Sequence, residues 1–110
     1  MSGGENEKQH PRHQLDDALL TPVRFSLMAA VREDAEFDFA TLRDMIETED
    51  STLSKAISYL QKTGYVVPRK GYVANKPGTW VRATPAGTAA FRRHLAALQE
   101  IAAGHGEDLS

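Results

Sequence analysis

Cysteine is missing from the chain, which excludes a disulfide framework, a thiol nucleophile and a thiolate metal site. Long apolar runs are missing too, and no stretch approaches the ~18 residues that mark a membrane span. The opening segment, Met1 to Leu15, is polar and lacks the apolar run of a secretory signal. These absences give the expectation of a cytoplasmic protein with no membrane partner. Catalytic signatures are equally scarce, with no phosphate-cradling glycine loop, metalloprotease helix or nucleophile elbow. His10 and His13 fall in the polar opening segment and His105 near the end, while His94, beside Arg92 and Arg93, is expected to face solvent. The carboxylates Asp16/Asp17 and Glu47/Glu49/Asp50 have no base or nucleophile nearby and read as helix caps and solubilising charge. No enzyme activity, metal or cofactor is expected.

Acidic residues are missing from a long central block. The formal net charge of −2 over 110 residues argues against a polyanionic partner only until its distribution is read. Residues 1–50 carry twelve acids and five bases. Residues 51–99 carry eight bases (Lys55, Lys62, Arg69, Lys70, Lys76, Arg82, Arg92, Arg93) and no acid, and Glu100, Glu107 and Asp108 follow. A cationic block inside a mildly acidic chain is the electrostatic footprint of a nucleic-acid-binding surface. The length suits one domain with a thin core, for which a dimer interface is a useful second source of burial.

Residues 1–14 have no periodic apolar pattern and read as a flexible arm. Leu19, Leu20, Val23, Leu27, Met28 and Val31 recur at helical spacing, and Thr21-Pro22 is a capped start, giving a helix at about 21–33. A short helical turn at 16–20 precedes it, and Phe37 and Phe39 flank a very short strand. A second helix spans about 39–47 with Asp38 as its cap, and a third runs from about Ser51 to Lys62 with Gly64 closing it. Tyr65–Val67 and Thr79–Ala83 read as strands of a hairpin with a long Gly/Pro/Asn-rich loop. Thr84-Pro85 repeats the capped start and opens a last helix at about 85–102. The domain is thus expected at 15–103, with a flexible tail at 104–110. Its class is mainly α with a small β-hairpin (α+β).

Two helices joined by a short polar break form a helix-turn-helix. With Leu53 at zero and ~100° per residue, Ile57 falls at about 40° and Leu60 at about 340°, an inward stripe. Opposite lie Ser58, Ser51, Lys62 and Lys55, at about 140° to 200°, with Tyr59 at the margin. Hydroxyls and lysines donate to phosphates and to base edges in the major groove, which a helix can enter. The hairpin loop adds Arg69, Lys70 and Lys76, a basic tip suited to a phosphate backbone or the minor groove. Tyr72 and Trp80 are candidates for stacking on bases, although Trp80 reads better as a core anchor.

The runs Thr21-Pro22-Val23-Arg24, Phe39-Ala40-Thr41-Leu42 and Asp50-Ser51-Thr52-Leu53-Ser54 resemble the winged-helix regulators of the MarR and ArsR groups. So do Leu60-Gln61-Lys62-Thr63-Gly64-Tyr65-Val66, Lys70-Gly71-Tyr72-Val73 and Thr79-Trp80-Val81-Arg82-Ala83-Thr84-Pro85-Ala86-Gly87. The resemblance implies a winged helix-turn-helix that binds double-stranded DNA and regulates transcription, as a repressor, with a recognition helix at 51–62 and a wing at 70–78. It also implies a homodimer built from the first and last helices. The expected DNA contacts are Ser51, Thr52, Ser54, Lys55, Ser58, Tyr59, Lys62, Arg69, Lys70, Lys76 and Arg82. The expected dimer contacts are Leu19, Leu20, Phe91, Leu95, Leu98 and Ile101, the last helix presenting an apolar stripe longer than its own small core requires. An adaptor that binds protein through the same fold is the alternative, and a small-molecule effector near Phe25, Met28 and Phe91 is a third reading.

Overall fold

Residues 9–104 are described by a computed structural model; residues 1–8 of the expected arm and the expected tail from His105 onward lie outside them. Helix α1 (Pro22–Ala30) opens as its sequence dictates: the Thr21 hydroxyl accepts the Arg24 N–H at 3.2 Å, and Pro22 occupies a position needing no donor. It stops three residues earlier than the apolar pattern implied. Strand β1 (Phe37–Asp38) runs directly into α2 (Phe39–Ile46), where the Asp38 carboxylate accepts the Thr41 N–H at 3.1 Å. Glu47, left-handed at φ 58°, ends α2, and α3 (Asp50–Thr63) follows. Gly64, at φ 90°, closes α3 with its own N–H on the Gln61 carbonyl and the Tyr65 N–H on Leu60. Helix α4 (Pro85–Ala102) begins at the Thr84 cap, whose hydroxyl accepts the Gly87 N–H at 2.9 Å and donates to the Gly64 carbonyl at 2.7 Å.

Strands β2 (Val66–Val73) and β3 (Lys76–Ala83) pair antiparallel along their whole length, and the sheet order is β1-β3-β2. The expected long loop is therefore a two-residue turn, Ala74-Asn75, with φ 51° and 67°. Two successive positive φ values define the type I′ turn that matches the right-handed twist of a hairpin. Asn75 tolerates this conformation, whereas Ala74 bears a Cβ penalty of about 1 kcal/mol. Ala74→Gly is expected to stabilise the domain by about 0.5–1 kcal/mol, read as a higher urea midpoint; a lower midpoint would contradict the turn assignment.

The core gathers Leu27 and Met28 of α1, Leu42 of α2, Leu53, Ala56, Ile57 and Leu60 of α3, and Val66, Val81 and Ala83 of the sheet. Two features correct the sequence reading. Pro11–Gln14 forms a 3-10 turn with Pro11 buried, so helical backbone begins before the arm boundary at 14, whereas a second 3-10 turn at Asp17–Leu19 falls where the turn at 16–20 was expected. His94, expected in solvent, is only 1% exposed, because it shares the inward stripe of α4 with Gly87, Ala90 and Ala97. Its Nδ1 accepts the Asp16 N–H at 2.9 Å, tying α4 to that leading segment.

Candidate nucleic-acid interface

Helix α3 is amphipathic as the wheel requires. Leu53, Ala56, Ile57 and Leu60 are buried, and Ser51, Thr52, Ser54, Lys55, Ser58, Tyr59 and Lys62 are all exposed. The turn before it is fixed by Arg43 of α2, whose guanidinium pairs with Asp50 at 3.0 Å and with Asp44 at 3.2 Å. Asp50, the first residue of α3, is thus paired at the base of the helix, and the outward face beyond it is cationic and hydroxylic.

Strand alternation sorts the basic residues of the wing. Residues directly opposite in an antiparallel pair share a face. Val66/Ala83, Pro68/Val81, Lys70/Thr79 and Tyr72/Pro77 therefore form one face, and Val67/Arg82, Arg69/Trp80, Gly71/Gly78 and Val73/Lys76 the other. The first face begins in the core and continues outward beside α3. Ser54, Ser58 and Gln61 of α3 and Pro68, Lys70 and Thr79 of the wing line a groove of about 340 Å³ between them, and Arg69 also borders it. Tyr72, 72% exposed, extends this face toward the wing tip.

Arg69 and Arg82, both expected to contact DNA, have their side chains on the other face. Arg69 is clamped by Glu36, with Nη2 at 2.6 Å and Nε at 2.9 Å from its two carboxylate oxygens. The Arg69 hydrogen bonds hold the Glu36 carboxyl below the usual carboxylate range, and the Arg82 charge adds to the effect. Lys76 is exposed at the tip on this same side. Trp80 is not a core anchor: it lies half-buried on the outer face, its indole N–H donating to the Tyr72 carbonyl at 3.2 Å, and Val81 beside it fills the core.

The sequence expectations left Gln61 and Thr79 out of the site and named Tyr72 only as a stacking candidate. Gln61 falls at about 80° on the α3 wheel, between the core and the serines, and strict alternation from Val66 would have placed Lys70 and Tyr72 together. Arg24 was also missed. Its guanidinium carbon sits 3.9 Å from the centre of the Tyr59 ring, bringing a cation from α1 to the edge of the exposed α3 face.

The dimer candidates divide. Leu19 is 1% exposed within its own chain's core, so it has no surface to offer a partner. Leu20 is exposed, and Phe91, Leu95, Leu98 and Ile101 are half-buried on α4. Phe91 packs on Phe25 of α1 with ring centres 5.3 Å apart. Among the described residues no helix is long and apolar enough to cross a membrane.

No curated protein matches the chain. Solved structures do. A transcriptional regulator homologue from Pyrococcus horikoshii OT3 superposes with a TM-score of 0.71 at 24% identity, over 94% of this chain and 96% of that one. The transcriptional regulator MOSR from M. tuberculosis, solved in complex with DNA, gives 0.65 at 20% identity, over 93% and 73%. A MarR-family transcriptional regulator from Silicibacter pomeroyi gives 0.62 at 23% identity, over 92% and 67%. At these identities the likeness establishes the fold, which is MarR-like as the sequence runs implied. A family model described as winged helix DNA-binding domain matches residues 23–102, from α1 to the end of α4. The chain therefore belongs to the winged helix DNA-binding domain family.

Proposed function

We propose that the protein is a sequence-specific double-stranded DNA-binding regulator of transcription, a cytoplasmic homodimeric repressor that reads the major groove with α3. The wing lies along the adjacent backbone or minor groove. The observation that carries this reading is the continuity of the acid-free α3 face, with Lys55, Lys62 and three serines, into Lys70 and Tyr72 of the wing. Lysines at such a surface neutralise phosphates, and hydroxyl and amide groups read base edges. The half-buried flank of α4, Phe91, Leu95 and Leu98, supports dimerisation, which would set two half-sites one helical turn or a multiple apart. The adaptor alternative calls for apolar surface on α3, where Tyr59 is the sole large exposed hydrophobic residue.

Selection of bound sites from a random duplex library tests the proposal directly. The expected result is a paired, two-fold related motif, with affinity falling steeply as salt rises. Absence of duplex binding at about 50 mM salt by a folded dimer would overturn it, since electrostatic affinity is greatest at low salt.

A further inference from the structure

Tyr59 combines three properties. It is 42% exposed on the outward side of α3, its ring is covered by a cation, and its hydroxyl has no hydrogen-bond partner among the described residues. The covering group, Arg24, is itself anchored: Nε donates to the Ala18 carbonyl at 2.7 Å and Nη2 to the Asp17 carbonyl at 3.4 Å. Arg24 is half-buried, and a cation–π contact that is partly desolvated is worth more than one in open water. Thr21–Arg24 at the start of α1 and Thr52, Lys55, Ala56 and Tyr59 of α3 line one open cleft that includes both members of the pair. A ring held on one face while its polar tip stays open is a group ordered before its ligand arrives. Ordering in advance removes the entropy cost of fixing a side chain on binding.

We propose that Arg24 is the positioning residue for Tyr59: it holds the ring so that the phenolic hydroxyl meets one base edge of bound duplex DNA. The inference rests on the DNA-binding reading above. Arg24 acts through Tyr59 and makes no phosphate contact of its own.

The test is a double-mutant cycle on the full chain, using the duplex recovered by site selection. Arg24→Gln and Tyr59→Phe are each expected to weaken binding about tenfold and to relax preference at the same base-pair positions. The double variant should be no more than about twofold weaker than Tyr59→Phe alone. The salt slope of Arg24→Gln should match wild type. Full affinity in Arg24→Gln, a loss undiminished in the Tyr59→Phe background, or a slope reduced by about one unit would overturn the inference. Should Arg24→Gln fold poorly, Arg24→Lys keeps the charge without the planar stack and is expected to show the same coupling. Wild-type protein that binds no duplex defeats the DNA-binding reading instead, which keeps the two failures distinct.

Discussion

Replacing Gly87 with alanine is expected to destabilise the domain by about 2 kcal/mol, although alanine is the better helix former. Gly87 is buried in the first turn of α4, against the loop that leaves α3. A Cβ there would lie far inside van der Waals distance of the Tyr65 carbonyl oxygen, and 3.0 Å from Met28 Cε. The methionine end can move, but the carbonyl cannot move freely. It accepts the Thr84 N–H at 3.0 Å, while the Tyr65 N–H is held by Leu60 at 2.8 Å. Relief requires the start of α4 to lift away, straining the Thr84 cap on Gly87 and the Thr84–Gly64 bond. Helix propensity returns about 1 kcal/mol for Gly→Ala, against an overpacking cost of about 3 kcal/mol where backbone must shift. The clash wins. Urea unfolding at an unchanged m-value measures the difference, and a midpoint at or above wild type would show that α4 can stand further off than its close approach to Tyr65 implies.

The elements that were legible in the sequence are those whose ends carry chemistry. Thr21-Pro22, Asp38, Gly64 and Thr84-Pro85 each satisfy backbone groups that a helix end leaves open, and each marks a real boundary. The wing was legible only in part, because Gly71, Pro77 and Gly78 read as loop. Gly71 and Gly78 face each other across the ladder, and a Cβ on Gly71 would crowd both Trp80 and Arg69. Pro77 is accommodated because β1 reaches β3 only at Trp80 and Val81, leaving the outer part of the strand open on that side. His94 was misplaced because its neighbours Arg92 and Arg93 are solvent residues, whereas burial on α4 follows small residues at 87, 90 and 97. A polar side chain enters such a stripe when the fold supplies a partner, and the Asp16 N–H comes from 78 residues away.

The candidate site follows the same division. Exposure along α3 follows from helical period alone, so its seven expected residues emerged together. On the wing, net positive charge in the sequence hid which cations are available. Glu36 lies 33 residues before Arg69, and only the β1-β3-β2 order brings the two within reach. The same order makes Arg82 a neighbour of that carboxylate.

That sorting predicts unequal lysines and arginines. The triple variant Lys55→Ala, Lys62→Ala, Lys70→Ala is expected to lose about 10²- to 10³-fold in duplex affinity near 0.1 M salt, with a salt slope shallower by about three units. Each of the three ammonium groups is exposed on the α3 side of the molecule, where a phosphate can displace only water and counterions. Arg69→Ala is expected to change affinity less than about twofold and leave the slope intact, because Glu36 already neutralises that guanidinium. The sign with pH agrees. Since Arg69 holds the Glu36 carboxyl below its ordinary range, the carboxylate stays ionised on mild acidification, and the pair persists throughout neutral binding conditions. Glu36→Gln should release Arg69 and strengthen non-specific binding modestly. Salt titrations of wild type, these three variants and the single variant Lys70→Ala decide the matter: an Arg69→Ala loss equal to that of Lys70→Ala would mean that DNA breaks the Glu36 pair, and that both faces of the wing engage the duplex.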